Sequence, residues 1–124
     1  MNRPRVLLVG LASSAVDYDK WPDLSVEKLE AAFEQVASEA ASAGFDARWC
    51  LTDTSETAPQ QLKQDLLDYS PDIVLIGAGV RTDPDLLLLF ERMINVISHV
   101  CPASKIAFNS SPFDTIEAIQ RWAR

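Results

Sequence analysis

The alternation of strand-like and helix-like segments is the feature that most limits how this sequence folds. Four apolar runs are predicted as strands, at 5–11, 45–52, 72–79 and 105–109. Four helical patterns follow them in turn, at 25–43, 59–69, 84–100 and 112–123. Strict β-α alternation predicts a parallel sheet with helices on both faces. The chain of 124 residues suits one such domain, which we place at 1–124.

The composition of each run predicts its place in the sheet. The first run, RVLLVGL, and the third, DIVLIGAG, are apolar almost throughout, as buried central strands of parallel sheets are. The second run carries Asp46 and Arg48, which suit an edge strand. Right-handed crossovers then favour the strand order 2-1-3-4. We therefore predict an α/β fold: a three-layer, doubly wound, four-stranded parallel sheet of the flavodoxin-like type.

This strand order also predicts where a ligand binds. In doubly wound sheets, ligands lie beyond the carboxyl ends of the strands, where the strand order reverses. Here that point falls between strands one and three, beside loops 11–24 and 77–83. Loop 11–24 is longer than the roughly 2–6 residues usual for such connections, so we expect it to act as a lid. Its predicted ligand contacts are Ser13, Tyr18 and Trp21, and Asp17 is a candidate general acid or base.

The second loop lies within LIGAGVRTDPD, residues 75–85. Gly77 and Gly79 are predicted to adopt backbone dihedrals closed to other residues and to let a ligand approach the main chain. Asp83 is predicted to cap a helix that begins at Pro84. Arg81 would then hold a carboxylate or phosphate near that helix start. In the alternative interpretation, Arg81 is instead paired with an acid of these loops: Asp17, Asp19, Asp83 or Asp85.

The other strand ends add weaker candidates. Asp53 follows strand two and is the second candidate acid or base, and Asn109 follows strand four as a possible ligand contact. A minor hypothesis is a Mg²⁺ ion on a rim of acids, namely Asp17, Asp19, Asp53 and Asp83. No metal ligand is assigned and the cofactor stays unknown, since the chain has neither a dinucleotide fingerprint nor a phosphate loop.

Composition excludes several classes of partner. The net charge of −7 argues against nucleic acid and against an anionic membrane surface. No apolar run is long enough to cross a bilayer. Because no export signal is apparent, we expect Cys50 and Cys101 to be reduced and the protein to be cytoplasmic.

The helix predicted at 84–100 is apolar on more than one face. Its apolar residues include the run Leu86–Phe90 and extend to Val100, and the polar stripe is narrow. Such extra apolar surface favours a partner, so we predict a homodimer through helix 84–100, with strand four as a possible second element. The alternative is that neighbouring elements of the same chain cover this helix.

Several segments resemble a family of small, functionally uncharacterised bacterial α/β proteins. They are RVLLVG, VDYDKWP, IGAGVR, LFERMIN and KIAFNSSP, and the most distinctive are GAGVR, LFE and IAFN. The resemblance extends over nearly the whole chain and implies a flavodoxin-like or Rossmann-like fold. It also implies that five positions are worth testing as site residues: Asp17, Tyr18, Arg81, Glu91 and Asn109. It implies no activity, and FMN is not expected because strand one lacks the phosphate loop of flavodoxins.

Two functions follow from these observations. The first is binding of a small anionic molecule at the carboxyl ends of strands one and three, with catalysis as an extension of it. In that function Arg81 would bind the anion, and Glu91 would either orient Arg81 or be a surface charge. The second is a non-catalytic dimeric module that docks another protein through helix 84–100 or the rim.

Overall fold

The fold is a four-stranded parallel sheet covered by helices on both faces. A computed structural model describes residues 3–123, and the strand order is β2-β1-β3-β4. The strands are β1 (Arg5–Leu11), β2 (Asp46–Thr52), β3 (Ile73–Ile76) and β4 (Lys105–Phe108). The helices are α1 (Val26–Ser42), α2 (Ala58–Tyr69), α3 (Ala78–Arg81), α4 (Leu87–Val100) and α5 (Thr115–Trp122). The predicted α/β class, the flavodoxin-like architecture and the strand order are confirmed.

Alternate residues of the central strands face two separate halves of the core. Leu7 and Val9 of β1 pack in the layer that contains α2 and α4. Val6 and Leu8 pack in the opposite layer, with α1 and α5. All four side chains are fully buried. This period of two is what a strand with helices on both faces requires, since successive side chains point to opposite sides.

Helix ends lie where the sequence chemistry predicts them. The Ser25 hydroxyl accepts a hydrogen bond from the Lys28 N–H at 3.2 Å and caps α1. Gly44 follows α1 with a φ of +94°, a conformation that glycine adopts without strain. Ser70 ends α2 in the left-handed region, and Pro71 prevents continuation. Helix α1 is one residue shorter than predicted at each end. Helix α2 begins one residue earlier than predicted and ends where it was predicted to end.

Three predicted elements are divided in the structure. The strand predicted at 72–79 ends at Ile76, because residues 78–81 turn into the short helix α3. The helix predicted at 84–100 begins as a 3-10 turn at Pro84–Leu86 and becomes α-helical at Leu87. Asp83 does cap that turn, with its carboxylate accepting the Asp85 N–H at 3.0 Å. The last helix is divided likewise, with a 3-10 turn at Pro112–Asp114 before α5.

Helix α4 is covered by its own chain along most of its apolar surface. Leu89, Met93 and Ile97 are buried, and Phe90 and Ile94 pack against the same core layer. Two leucines at the start of the helix remain exposed, Leu87 at 55% and Leu88 at 59%. Neighbouring elements of the chain thus cover the core-facing side of this helix. The homodimer stays a prediction, and its apolar support includes these two leucines and the exposed Phe108 of β4.

Candidate functional site

A cavity of about 360 Å³ lies at the carboxyl end of the sheet. Its floor is formed by the end of β1 and by the segments that follow β3 and β4. These lining residues are Val9, Gly10, Leu11, Gly77, Ala78, Gly79, Val80, Asn109, Ser110 and Ser111. The volume lies within the range of small-molecule sites. The cavity is therefore at the point where strand order reverses, the position predicted from the topology.

One wall of the cavity is apolar and comes from α1 and β2. Leu29 and Phe33 of α1 line it together with Trp49 of β2. The Phe33 and Trp49 rings pack with their centroids 4.7 Å apart, and the Trp49 indole N–H donates to the Phe33 carbonyl at 3.0 Å. Because the indole N–H is satisfied within the wall, the surface that the two rings offer to a ligand is apolar.

The connection between β1 and α1 closes over the cavity, and we call residues 12–25 the lid. The lid contains a 3-10 turn at Ser13–Ala15 and is held by internal backbone hydrogen bonds, such as Trp21 N–H to the Tyr18 carbonyl at 3.2 Å. Its apolar side chains Val16, Trp21 and Leu24 line the cavity. The long loop predicted as a lid is therefore a folded segment that contributes an apolar surface.

An ion pair ties the lid to the other side of the cavity. The Lys20 ammonium lies 3.0 Å from the Asp83 carboxylate and 2.6 Å from that of Asp85. The hydrogen bonds to Asp85 and Asp83 raise the pKa of Lys20. The hydrogen bond from Lys20, together with the backbone N–H of Asp85, lowers the pKa of Asp83. Both shifts favour the charged forms, so the ion pair is present at neutral pH, and we expect it to favour the closed lid.

Arg81 has a different environment from either predicted one. Its guanidinium donates to the Asn109 carbonyl and lies 5.3 Å from the centre of the Phe108 ring. No salt bridge to Arg81 is present among residues 3–123, and its buried Nε has no hydrogen-bond partner there. The prediction that Arg81 pairs with loop acids is wrong, because Lys20 holds Asp83 and Asp85. Nor does Arg81 line the cavity.

Asn109 forms the polar end of the cavity and is 7% exposed. Its Oδ1 accepts the backbone N–H of Ala78 at 2.9 Å, and its Nδ2 donates to the Thr115 hydroxyl at 2.9 Å. One amide thereby joins the end of β4 to the starts of α3 and α5. The Ala78 N–H can only donate, so the Asn109 side-chain oxygen, and not its nitrogen, must face it; this bond determines the orientation of the Asn109 amide.

Four of the predicted site residues line the cavity: Trp21, Gly77, Gly79 and Asn109. Six others lie outside the lining: Ser13, Asp17, Tyr18, Asp53, Arg81 and Glu91. The Tyr18 hydroxyl donates to the Ser13 carbonyl at 2.7 Å, and the Ser13 hydroxyl donates to Glu30 at 3.1 Å. The Ser13 side chain therefore joins the lid to α1, the Tyr18 side chain bonds within the lid, and Glu91 is exposed on α4.

The acids predicted for catalysis are engaged in turns. One Asp53 oxygen accepts the Ser55 hydroxyl at 2.7 Å and the Ser55 N–H at 2.9 Å, and these bonds lower the pKa of Asp53. An Asp17 oxygen accepts the Asp19 N–H at 3.1 Å. Within residues 3–123 no three acids, histidines or cysteines gather as a metal would require. The acid rim considered for Mg²⁺ is therefore not assembled.

The two glycines contribute space rather than unusual dihedrals. Gly77 has a φ of −71°, and Gly79 is not among the described residues with positive φ, so that part of the prediction is wrong. A Cβ at Gly77 would lie 3.5 Å from the Val9 carbonyl oxygen, whereas a Cβ at Gly79 would meet nothing within 4 Å. Gly79 is exposed at the edge of the cavity and therefore borders open space.

Sequence reasoning missed most of the apolar lining. No motif marks Val16, Leu24 or Leu29 as ligand contacts, and none marks Lys20 as the partner of Asp83 and Asp85. The alternation in β2 puts Trp49 on the apolar face of the strand, and the helical period puts Leu29 and Phe33 on one face of α1. Those periodicities identify buried positions, but they do not distinguish a core contact from a cavity wall.

A larger and more open groove, of about 820 Å³, lies at the opposite end of the sheet. Its charged residues include Arg5, Asp72 and Lys105. Arg5 donates to the Tyr69 carbonyl at 3.1 Å, and its backbone N–H donates to the Asp72 carboxylate at 2.8 Å. These contacts join the amino ends of β1 and β3, so we assign the groove a structural role.

No family model matches the chain, and a search of curated proteins gives no match. The resemblance to uncharacterised bacterial α/β proteins accordingly stays a prediction. Among residues 3–123, no helix is both long enough and apolar enough to span a membrane.

Removing the lid's cation is expected to loosen the lid without unfolding the domain. In Lys20→Met, Asp83 and Asp85 lose the ion pair that joins them to the lid. A looser lid should let acrylamide reach the tryptophans of the cavity more easily, so it should quench their fluorescence more strongly. A Trp122→Phe background leaves only Trp21 and Trp49, which both line the cavity. The effect should be modest and should shrink in high salt, because the pair is solvent-exposed. Lys63→Met, an exposed change on α2, is the matched control, and equal quenching in both variants would refute a closing role for Lys20.

Acid should open the lid by protonating Asp83 and so removing its ion pair with Lys20. The pKa of Asp83 is lowered from its ordinary 3.8, so the closed form is favoured above that pH and is lost as the pH falls through the lowered value. Quenching should therefore rise below about pH 3.8 in the wild type and change less in Lys20→Met. Far-UV circular dichroism at each pH separates lid opening from general unfolding.

Proposed function

We propose that this protein binds a small, uncharged and mainly apolar molecule in the cavity beneath the lid. The observation that carries the proposal is the nature of the lining: among the described residues that border the cavity, none has an ionisable side chain. A charged ligand group placed there would lose its hydration without gaining a counter-ion. The aromatic and aliphatic walls, by contrast, match the apolar body of a small molecule.

This proposal keeps the predicted location and changes the predicted ligand. The anion expected from the sequence depended on Arg81. In the structure that side chain lies outside the lining and donates to the Asn109 carbonyl. A neutral ligand is therefore the better match to this cavity than a carboxylate or phosphate.

Binding without proton transfer is the activity we propose. General acid–base catalysis needs a titratable group within hydrogen-bond reach of the reacting atom. The polar side-chain groups of the described lining are hydroxyls, one amide and the indole N–H groups of Trp21 and Trp49. The cytoplasmic location predicted from the sequence stays a prediction.

The test is binding of a neutral fluorescent probe, N-phenyl-1-naphthylamine, whose emission rises in apolar surroundings. Trp21→Ala removes part of the lid's apolar surface and should weaken binding roughly tenfold. Trp122→Ala is the matched control, because the two tryptophans are similarly exposed, at 42% and 45%, but only Trp21 lines this cavity. The wild type and Trp122→Ala should bind equally well. No binding by the wild type, or equal loss in both variants, would contradict the proposal.

A further inference from the structure

The polar end of the cavity has hydrogen-bond donors without acceptors. The Asn109 amide carries two N–H groups, and only one of them is used, in the bond to Thr115. The second has no acceptor among residues 3–123, although Asn109 is 7% exposed and lines the cavity. A buried N–H left without a partner is unfavourable, so this donor is a position where a ligand gains a specific bond.

Ser111 supplies a second donor beside Asn109. Its Oγ accepts the Phe113 N–H at 3.2 Å, and its own hydroxyl hydrogen has no acceptor among the described residues. Two other hydroxyls of this end are already used as donors: Ser110 donates to Asp114, and Thr82 donates to the Ala78 carbonyl at 2.7 Å. The free hydrogen-bonding capacity of this end therefore includes two donor hydrogens, on residues that lie two positions apart in the chain.

We propose that Asn109 selects ligands that carry a neutral hydrogen-bond acceptor, such as a ketone, aldehyde or ester carbonyl, on an otherwise apolar body. A carbonyl oxygen has two lone pairs and can accept from both Asn109 and Ser111. A carboxylate would also accept, but no cation lines the cavity among the described residues. This inference rests on the proposed binding function and adds to it the chemical class of the ligand.

A matched pair of probes tests the selection. 2-Acetonaphthalene carries a carbonyl, and 2-isopropenylnaphthalene has the same planar shape with a methylene group in place of the oxygen. Asn109→Asp keeps an oxygen to accept the Ala78 N–H but removes the donor. The ratio of the two affinities should therefore shift against the ketone by roughly 2- to 13-fold relative to the wild type. Asn95→Asp, the same charge change at an exposed position of α4, should leave the ratio unchanged.

The wild type alone also decides the question if Asn109→Asp does not fold. The infrared carbonyl stretch of bound 2-acetonaphthalene should lie at lower frequency than in hexane, because hydrogen bonding weakens the C=O bond. If both probes bind and the carbonyl stretch of bound 2-acetonaphthalene is unshifted, the selection by Asn109 is overturned while cavity binding stands. If neither these probes nor N-phenyl-1-naphthylamine binds, both the inference and the proposed function are overturned.

Discussion

Replacing Gly79 with leucine should weaken binding of N-phenyl-1-naphthylamine by roughly ten- to a hundredfold, with little change in fold. Gly79 lines the cavity, and a Cβ at this position meets no atom within 4 Å. The added isobutyl group therefore has open space at the edge of the cavity, and we expect it to occupy part of the volume that the probe needs. The measurement is a fluorescence titration of each variant at equal protein concentration.

The controls for this experiment separate blocking of the cavity from damage to the protein. Ala41→Leu adds an isopropyl group at an exposed position of α1 and should bind the probe as the wild type does. Gly79→Ala should raise the free energy of unfolding by about 0.5–1 kcal/mol, because alanine favours helix and the site does not need a positive φ. Undiminished probe binding by a folded Gly79→Leu variant would place the ligand site elsewhere.

Truncating Leu66 to alanine should lower the free energy of unfolding by about 2–5 kcal/mol. Leu66 lies on α2 and is fully buried in the core layer shared with α4. The variant loses the transfer free energy of the removed carbons and leaves a cavity that the close-packed core fills only in part. For a domain of this length the midpoint of thermal unfolding should fall by roughly 10 °C.

The next residue in the chain provides the control. Leu67 is 56% exposed, so Leu67→Ala should change the free energy of unfolding by no more than about 0.5 kcal/mol. Urea denaturation of the two variants measures the difference directly. Similar losses in both would mean that α2 does not pack as described, or that Leu67 is covered by a partner in solution.

The position of the site follows from the topology, whereas the identity of its lining does not. Parallel strands with a given order have one reversal point, and the order depends on hydrophobic patterns that are visible in single segments. Residues such as Val16, Trp21 and Leu29 come together only because the lid folds back over α1. The lid and α1 adjoin in the chain, but the path by which an irregular segment folds back on a helix is not encoded by any local period.

Arg81 and Lys20 show the same limit for charged residues. Each lies near several acids in sequence, and pattern alone does not decide which cation pairs with which carboxylate. In the fold Lys20 lies 3.0 Å from Asp83, although the two are separated by 63 positions. Arg81, only two positions from Asp83, instead bonds to the Asn109 carbonyl, because the short helix α3 carries it toward β4.

The sequence by itself determined the class of fold, the order of the strands and the end of the sheet at which the cavity lies. Those properties depend on the period of apolar residues and on capping and turn residues, which act within one element. Only the tertiary structure decided that β3 stops at Ile76, that Lys20 pairs with Asp83 and Asp85, and that the described residues lining the cavity are uncharged. These features are set by contacts between distant segments, where packing of the whole domain outweighs local preference.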